Sequence, residues 1–251
     1  IPGREAFGLA AIGSKLYAVG GQTRLLNTMR PLTSVEVLDT ATGGGWTAGP
    51  PLSNARGQLG LAAIGSKLYA VGGSNVTDDP VVTVEVLDTT TGGGWTAGPP
   101  LITARMGCSL AAVGSKLYVV GGYGVFTKTG RPVLATVEVL DTATGGGWTP
   151  GPPLSKGRSR LGLAAIGSML YAVGGNQEKT KWGSASGEVL DTEGAAGSWA
   201  AGPELITPRQ MLSVAAVSSA NATTLYAVGG LFGPGLLATV EILNTEVRGV
   251  R

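Results

Sequence analysis

The chain has 251 residues, of which 43% are hydrophobic and 14% charged, and its formal net charge is +2. This length and apolar content suffice for a sizeable core. The small net charge and the lack of a basic stripe with interleaved aromatic residues argue against nucleic-acid binding, and no uninterrupted apolar run is long enough for membrane insertion as a helix.

Histidine is absent, and there is one cysteine. The missing imidazole excludes His-ligated metals, histidine general bases, and Ser-His or Cys-His nucleophile pairs. A single thiol excludes an internal disulfide and a cysteine-based zinc site. We predict that the lone Cys108 is a small buried apolar residue.

Long segments of the sequence recur. The string GLAAIGSKLYAVGG occupies both Gly8–Gly21 and Gly60–Gly73, and VEVLDTATGGGWT occupies both Val35–Thr47 and Val137–Thr149. Gly-Gly pairs recur about every 50 residues, each with a Tyr three residues before it, which indicates a repeat architecture. We divide the chain, as a single domain, into five repeats at about 1–50, 51–99, 100–152, 153–203 and 204–251.

Each repeat is predicted to form four short strands. In repeat two they are Gly60–Ile64, Lys67–Val71, Thr83–Leu87 and Gly94–Ala97, with a turn at Gly65-Ser66. Short apolar or β-branched runs between Gly, Pro, Asp and Thr clusters are strand signals. No stretch sustains helical spacing without a glycine, so the chain is predicted to be all-β.

An Arg precedes each Gly-Gly pair and a Glu follows it, and a Trp closes the first four repeats. Residues present in every repeat are more often structural than functional. We therefore expect the recurring Arg and Glu to form partly buried ion pairs between loop and strand. The two sets are Arg4, Arg56, Arg105, Arg158 and Arg209, and Glu36, Glu85, Glu138, Glu188 and Glu241.

The Gly-Gly pair, the preceding Tyr, the Glu-x-x-Asp segment and the Trp followed by Pro-Leu resemble the kelch repeat. This resemblance implies a β-propeller with one blade per repeat, because stacked sheets cover faces that a lone sheet leaves exposed. Repeat five lacks the Trp after Asn244. We expect five blades, the fifth without a normal closing strand or borrowing Val247–Arg251. The alternative fold is a β-sandwich of duplicated hairpins.

The chain does not begin with Met. We expect it to be a processed form, a domain cut from a longer protein, or an incompletely known sequence.

The loops between strands two and three differ from repeat to repeat, and variable loops on a rigid scaffold carry function. In kelch proteins they share a face with the loops that lead into strand one. Arg beside aromatic side chains is typical of binding hot spots, although ordinary solvated loops are the alternative. The candidate ligand-binding residues on this face are Arg24, Arg30, Tyr123, Phe126, Lys128, Arg131, Arg160, Lys181, Trp182 and Phe232.

Arg160 lies fourteen residues before its glycine pair. In kelch adaptors that bind acidic peptides, Arg at this offset contacts ligand in some blades. The equivalent residues here are Ala6, Gln58, Gly107 and, allowing for the insertion in repeat five, Met211, so the resemblance carries this role to one repeat of five.

We predict a non-catalytic binding scaffold without metal or cofactor, whose partner is an acidic or mixed polar protein or peptide. Basic side chains outnumber acidic ones among the variable positions of the face. Trp182, Tyr123 or Phe126 would anchor the partner, and Arg131 and Arg160 would orient it. The alternatives are a carbohydrate-binding or sugar-active, mutarotase-like propeller, and a structural module of a large assembly.

Two enzymatic relatives of the kelch fold are disfavoured by the missing histidines: copper-radical oxidases that resemble galactose oxidase, and plant specifier proteins. Carboxylate chemistry would need two acids outside the repeat motif. On the predicted face these acids are Glu5, Asp78, Asp79, Glu178 and Glu204.

Overall fold

The fold is that of a computed structural model that describes residues 3–25, 28–178, 180, 182–194, 197–218 and 223–244. These residues contain strands and no helix. The strands are β1 (Gly8–Ile12), β2 (Lys15–Val19), β3 (Gln22–Leu25), β4 (Thr28–Pro31), β5 (Val35–Asp39), β6 (Thr47–Gly49), β7 (Gly60–Ile64), β8 (Lys67–Val71), β9 (Val84–Asp88), β10 (Thr96–Ala97), β11 (Ser109–Val113), β12 (Lys116–Val120), β13 (Val137–Asp141), β14 (Thr149–Gly151), β15 (Gly162–Ile166), β16 (Met169–Val173), β17 (Gly187–Asp191), β18 (Ala200–Ala201), β19 (Ser213–Ser218), β20 (Thr223–Val228), β21 (Leu231–Phe232), β22 (Gly235–Leu236) and β23 (Val240–Asn244).

The sheets follow the repeats. Blades one to four are antiparallel four-stranded sheets with orders β1-β2-β5-β6, β7-β8-β9-β10, β11-β12-β13-β14 and β15-β16-β17-β18. The fifth blade, within the described residues, is the three-stranded sheet β19-β20-β23. The five sheets lie in a ring, which confirms the predicted five-bladed propeller, and the described part of blade five has three strands where the other blades have four. The suggested contribution of Val247–Arg251 lies outside the described residues.

The loops contain two hairpins that the repeat pattern did not predict, β3–β4 in blade one and β21–β22 in blade five. The predicted strand bounds in repeat two were close, except that the outer strand is only Thr96–Ala97. Trp95 precedes it, and its indole Nε1 donates to the Pro50 carbonyl at 2.9 Å. The tryptophan therefore joins its blade to the segment that arrives from the preceding one.

The hydrophobic cores lie between neighbouring blades. In the first, Val19 and Val35 of blade one pack with Leu61, Leu68 and Trp95 of blade two. Equivalent clusters join blades two and three, three and four, and four and five. Since each sheet buries its faces only against its neighbours, the stacking of blades provides most of the apolar burial.

Glycine at the start of an inner strand lets the next blade approach closely. A Cβ on Gly60 would lie 2.8 Å from the Leu110 Cβ of blade three, closer than two such carbons approach. The Gly-Gly pairs have another role, since Gly72 and Gly73 both have positive φ, of 60° and 99°. This conformation, which suits glycine, lets the Gly73 N–H donate to the Arg105 carbonyl of the next blade at 2.9 Å.

The recurring Arg and Glu form the predicted ion pairs, and they are more deeply buried than expected. In blade three, Arg105 Nη2 lies 2.6 Å from Glu138 Oε1, with side chains 0% and 3% exposed. Arg105 also donates to the carbonyls of Gly121 and Thr136, and Glu138 accepts from the Ile102 N–H. Each pair thus holds a loop, a glycine pair and strand three together.

Cys108 is buried, as predicted, and burial raises the pKa of its thiol to about 11. Because the thiolate is the reactive form, the folded protein should resist alkylation by iodoacetamide near neutral pH. Mass spectrometry should show modification only after unfolding in denaturant. Rapid labelling of the folded chain would contradict the burial of this strand end.

The recurring Asp at the end of strand three forms a turn motif. Asp88 Oδ1 accepts from the Thr90 hydroxyl at 2.6 Å and from the Ser66 hydroxyl at 3.1 Å. The hydrogen bonds, chiefly the one from the Thr90 hydroxyl, hold the pKa of Asp88 below its ordinary value. The same direction holds for the pKa of Asp39, Asp141 and Asp191.

A lowered folded-state pKa stabilises the fold above the unfolded-state pKa, and this contribution is lost as pH falls through the folded pKa. We therefore expect the free energy of unfolding in urea to decline below about pH 5. Replacing all four residues by Asn, the residue that repeat five has at this position, should flatten the decline. An unchanged acid slope in that variant would contradict this assignment.

Candidate functional site

Two sets of loops share one face of the propeller. In each blade the residue after the glycine pair forms an antiparallel bridge with the loop that leads into the inner strand, for example Met106 with Tyr123 and Ser159 with Asn176. The predicted sharing of a face is therefore correct. We call this surface the loop face.

A chain of backbone hydrogen bonds passes from blade to blade at the centre of the loop face. The N–H of Gln58 donates to the carbonyl of Ala6, Gly107 to Gln58, Arg160 to Gly107 and Met211 to Arg160, at 2.6 to 2.8 Å. All five residues have φ between 51° and 59°, which is uncommon for residues other than glycine. We call them the axial residues. They occupy equivalent positions before the five glycine pairs, once the four extra residues of repeat five are allowed for.

Arg160 is the charged axial residue. Its guanidinium lies over the Tyr123 ring, 5.5 Å from the centroid, and its Nη2 is 3.4 Å from Gln58 Oε1. The Tyr123 hydroxyl accepts from Asn176 Nδ2 at 2.9 Å. No carboxylate within the described ranges pairs with Arg160, so its guanidinium contacts neutral groups and its charge lacks an anionic partner there.

Arg131 is held by its neighbours. Its guanidinium lies 4.2 Å from the centroid of the exposed Phe126 ring. Its Nη2 donates to the Asp78 carbonyl at 2.8 Å, and its Nη1 is 3.4 Å from Asp78 Oδ2. Asp78 belongs to blade two, so Arg131 connects the loops of blades two and three.

A cleft of about 500 Å³ lies between the loops of blades three and four. Tyr123 and Arg131 line one side, and Asn176, Glu178 and Thr180 line the other. The Oδ1 atom of Asn176 is buried and has no hydrogen-bond partner among the described residues. The cleft therefore offers cationic, anionic, aromatic and hydrogen-bonding groups within one concave surface.

The other predicted residues lie away from this cluster of contacts. Arg24 and Arg30 are exposed on the β3–β4 hairpin, and Lys128 is exposed on the loop of blade three. The exposed Trp182 lies beside Gly233, next to Phe232 in the blade-five hairpin. Lys181 lies outside the described residues.

The sequence did not single out Asn176 or Thr180, and it placed Glu178 on the predicted face only as an acid outside the repeat motif, not as a ligand-binding residue. The available signal for Asn176 was its position directly after the glycine pair, which is variable in sequence but constant in its bridge to the inner loop. The place of Glu178 and Thr180 in the cleft has no comparable signal, because it depends on the path of a loop that only one repeat has.

The acids outside the repeat motif are dispersed. Glu5 accepts from Gln22 at 3.3 Å, Asp78 pairs with Arg131, and Asp79 accepts from Thr77 at 2.6 Å. Among the residues that line the cleft, Glu178 alone carries a carboxylate. The described part of the chain contains no group of three His, Cys, Asp or Glu side chains that could hold a metal ion.

Five antiparallel sheets in a ring, with loops of variable sequence on one face, define a β-propeller of the repeat type. Compared with models of protein families, the chain matches the kelch motif over residues 3–53, 55–101 and 104–155. These segments make up more than half of the chain, which therefore belongs to the kelch-repeat family. A search of curated proteins finds no match.

Kelch propellers are commonly protein-interaction scaffolds and are generally non-catalytic. In the residues that the structure describes, no helix is long and apolar enough to cross a membrane.

Proposed function

We propose that this propeller is a non-catalytic scaffold that binds a protein or peptide segment in the cleft between the loops of blades three and four. The observation that carries the proposal is the cleft itself, with Tyr123 and Arg131 on one wall and Asn176 and Glu178 on the other. A few convergent polar groups in a concave surface are typical of binding sites.

The groups around the cleft suit an acidic or mixed polar segment. Arg160 has a guanidinium without a carboxylate partner in the described chain, next to the Tyr123 ring, and would bind a partner's carboxylate. Asn176 lines the cleft with an Oδ1 that lacks a partner among the described residues, and this oxygen would accept a backbone N–H if the side chain turns toward the partner. Glu178 favours a partner with mixed charge over one that is uniformly acidic.

Phe126 is the best placed anchor, because its exposed ring is backed by the Arg131 guanidinium at 4.2 Å. Aromatic residues and arginine dominate hot spots. The loops are also fixed before binding, since Arg131 is tied to Asp78 and Asn176 to Tyr123. A preorganised surface loses less entropy on binding, and we expect little backbone change.

The side chains that line the cleft favour a binding function over a catalytic one. Glycosidases use two carboxylates that flank the scissile bond, whereas Glu178 is the sole carboxylate among the cleft-lining residues. Turnover of a sugar that is lost in a Glu178→Gln variant would overturn the proposal.

The test is a selection of peptides from a displayed library against the whole chain, followed by calorimetry with the best binder. Phe126→Ala and Trp182→Ala distinguish the two possible anchors, and a true anchor should cost about 2 kcal/mol or more. The variant Arg131→Glu with Arg160→Glu should also weaken binding. Lys67→Gln, an exposed charge in the β7–β8 turn, is the control that should bind as wild type.

If Phe126→Ala and the Arg131 and Arg160 double variant both bound the selected peptide at wild-type affinity, the site would lie elsewhere. Full loss with Trp182→Ala and none with Phe126→Ala would place it at the β21–β22 hairpin instead.

Association should depend on salt. Charged loops steer the encounter, and salt screens exposed charges beyond about 8 Å at physiological ionic strength. We expect the association rate with an acidic selected peptide to fall as sodium chloride is raised, and to fall less in Arg160→Gln. Rates that do not respond to salt would contradict a role for these cations.

A further inference from the structure

Among the described residues, no apolar cluster joins blade five to blade one, so the ring is not closed there. Four apolar clusters fill the four interfaces between successive blades. The side chains that would build a fifth cluster are present on blades one and five, but they are exposed. We call this break the seam.

On the blade-one side, Leu9 is 55% exposed, whereas its equivalents Leu61 and Leu110 are 9% and 8% exposed. Each of these two leucines packs on the first inner-strand residue of the blade before, namely Gly8 and Gly60. Trp46 is 37% exposed. The tryptophans of blades two, three and four are 7%, 6% and 9% exposed, and all three donate to a proline carbonyl.

On the blade-five side, Val228 is 44% exposed, whereas Val19, Val71, Val120 and Val173 at the same position are 0% exposed. Val240 is 55% exposed, whereas its equivalents in the first three blades, Val35, Val84 and Val137, are 2% exposed. Direct closure of blade five on blade one would bury these side chains against Leu9 and Trp46, and the structure does not do so.

The hydrogen bonds between blades stop at the same place. In blades one to four, the second glycine of each pair donates to the Arg carbonyl of the next blade. Neither Gly230 nor Ala6 donates its N–H across the seam to a described residue. Within the described part of the chain, the axial chain of hydrogen bonds therefore has two free ends, the Ala6 N–H and the Met211 carbonyl.

From these features we infer that the seam is a docking site for one further kelch-type blade. Such a blade has one face of the Tyr and Val type, which suits the exposed Leu9 and Trp46. It has an opposite face of the Leu and Trp type, which suits Val228 and Val240. Its axial residue would donate to Met211 and accept from Ala6, so one blade satisfies both free ends.

The four existing interfaces specify the sequence of that blade. Its first inner-strand residue would be small, to receive Leu9, as Gly60 receives Leu110. The second residue of its inner strand would be Leu or Val, to cover the exposed Ser213 of blade five, as Val214 covers Gly162. A second copy of the chain fits less well, because it would bring four more blades to a gap that has blade five on one side and blade one on the other.

The inference of a further blade rests on the blade interfaces and is independent of the function proposed for the loop face.

The experiment joins a copy of residues 51–99 after Arg251 and measures thiol labelling on both sides of the seam. Leu9→Cys and Val240→Cys report on the two sides, and the buried Cys108 is the silent background. Val76→Cys, on an exposed loop position of blade two, is the control. We expect the added repeat to slow labelling of both reporters about tenfold or more and to leave the control unchanged.

Leu61→Asp within the added copy should restore fast labelling, because it places a charge in the interface with Ser213. Labelling at an unchanged rate, or protection on one side only, would overturn the inference. Two results with the chain alone would also overturn the inference. A monomer already protected from labelling at both reporters would mean that blade five closes directly on blade one. A dimer in sedimentation, with protection that depends on concentration, would mean that a second copy fills the seam.

Discussion

Replacing Arg105 by Met is expected to lower the free energy of unfolding by about 3–5 kcal/mol, because it leaves Glu138 buried without its partner. Glu138 is 3% exposed in its side chain and also accepts the Ile102 and Thr103 N–H groups. Those two bonds would hold the carboxylate in its buried position after the arginine is gone. Urea unfolding of the whole chain measures the effect.

Two comparisons make this result specific. The double variant Arg105→Met with Glu138→Leu removes both charges and should recover part of the loss. Arg131→Met breaks the ion pair with Asp78, whose side chain is 66% exposed, and should cost about 1 kcal/mol or less. Equal losses for Arg105→Met and Arg131→Met would show that burial of the repeated pairs does not matter to stability.

The second large effect is expected at the glycine pairs. Gly72 and Gly65 have nearly the same φ, 60° and 58°, but a Cβ on Gly72 would lie 2.7 Å from the Arg105 carbonyl oxygen, and a Cβ on Gly65 would meet nothing within 4 Å. Gly65→Ala should cost about 1–2 kcal/mol from its backbone conformation alone. Gly72→Ala should cost about 1–3 kcal/mol more, because the neighbouring blade must move.

Thermal or urea unfolding of the two glycine variants tests this difference within one repeat. If Gly65→Ala and Gly72→Ala were equally destabilised, the glycine pair would serve backbone conformation and not the contact between blades.

Much of the fold could be predicted from the sequence because the same turn, strand and ion-pair residues recur in each repeat. Gly65 and Ser66 fix the turn between inner strands. Arg56 and Glu85 recur at equivalent places in every repeat, the Arg before the glycine pair and the Glu in strand three, so their pairing follows once the blades are recognised. Trp95 was predicted within a strand, and it instead precedes a shorter one. The repeat pattern does not indicate where the outer strand begins, because its residues Thr96 and Ala97 are exposed and no alternation of buried and exposed side chains marks the strand.

The site could be predicted only in part. The sequence indicates that Tyr123, Phe126, Arg131 and Arg160 share a face, because the first three follow a glycine pair in the loop after strand two and Arg160 lies in the loop before strand one. It does not indicate that Arg131 pairs with Asp78, a residue of another blade's loop. Such pairs depend on the paths of loops that occur once, and the same holds for the side of the cleft that carries Glu178.

The most direct test of a rigid scaffold that binds through the loop face is hydrogen exchange of the whole chain with and without a selected peptide. We expect slower exchange in the loops 123–134 and 176–186, with the outer turns near Gly43–Gly45 and the strands unchanged. Slower exchange confined to the outer turns, or spread through all blades, would contradict it.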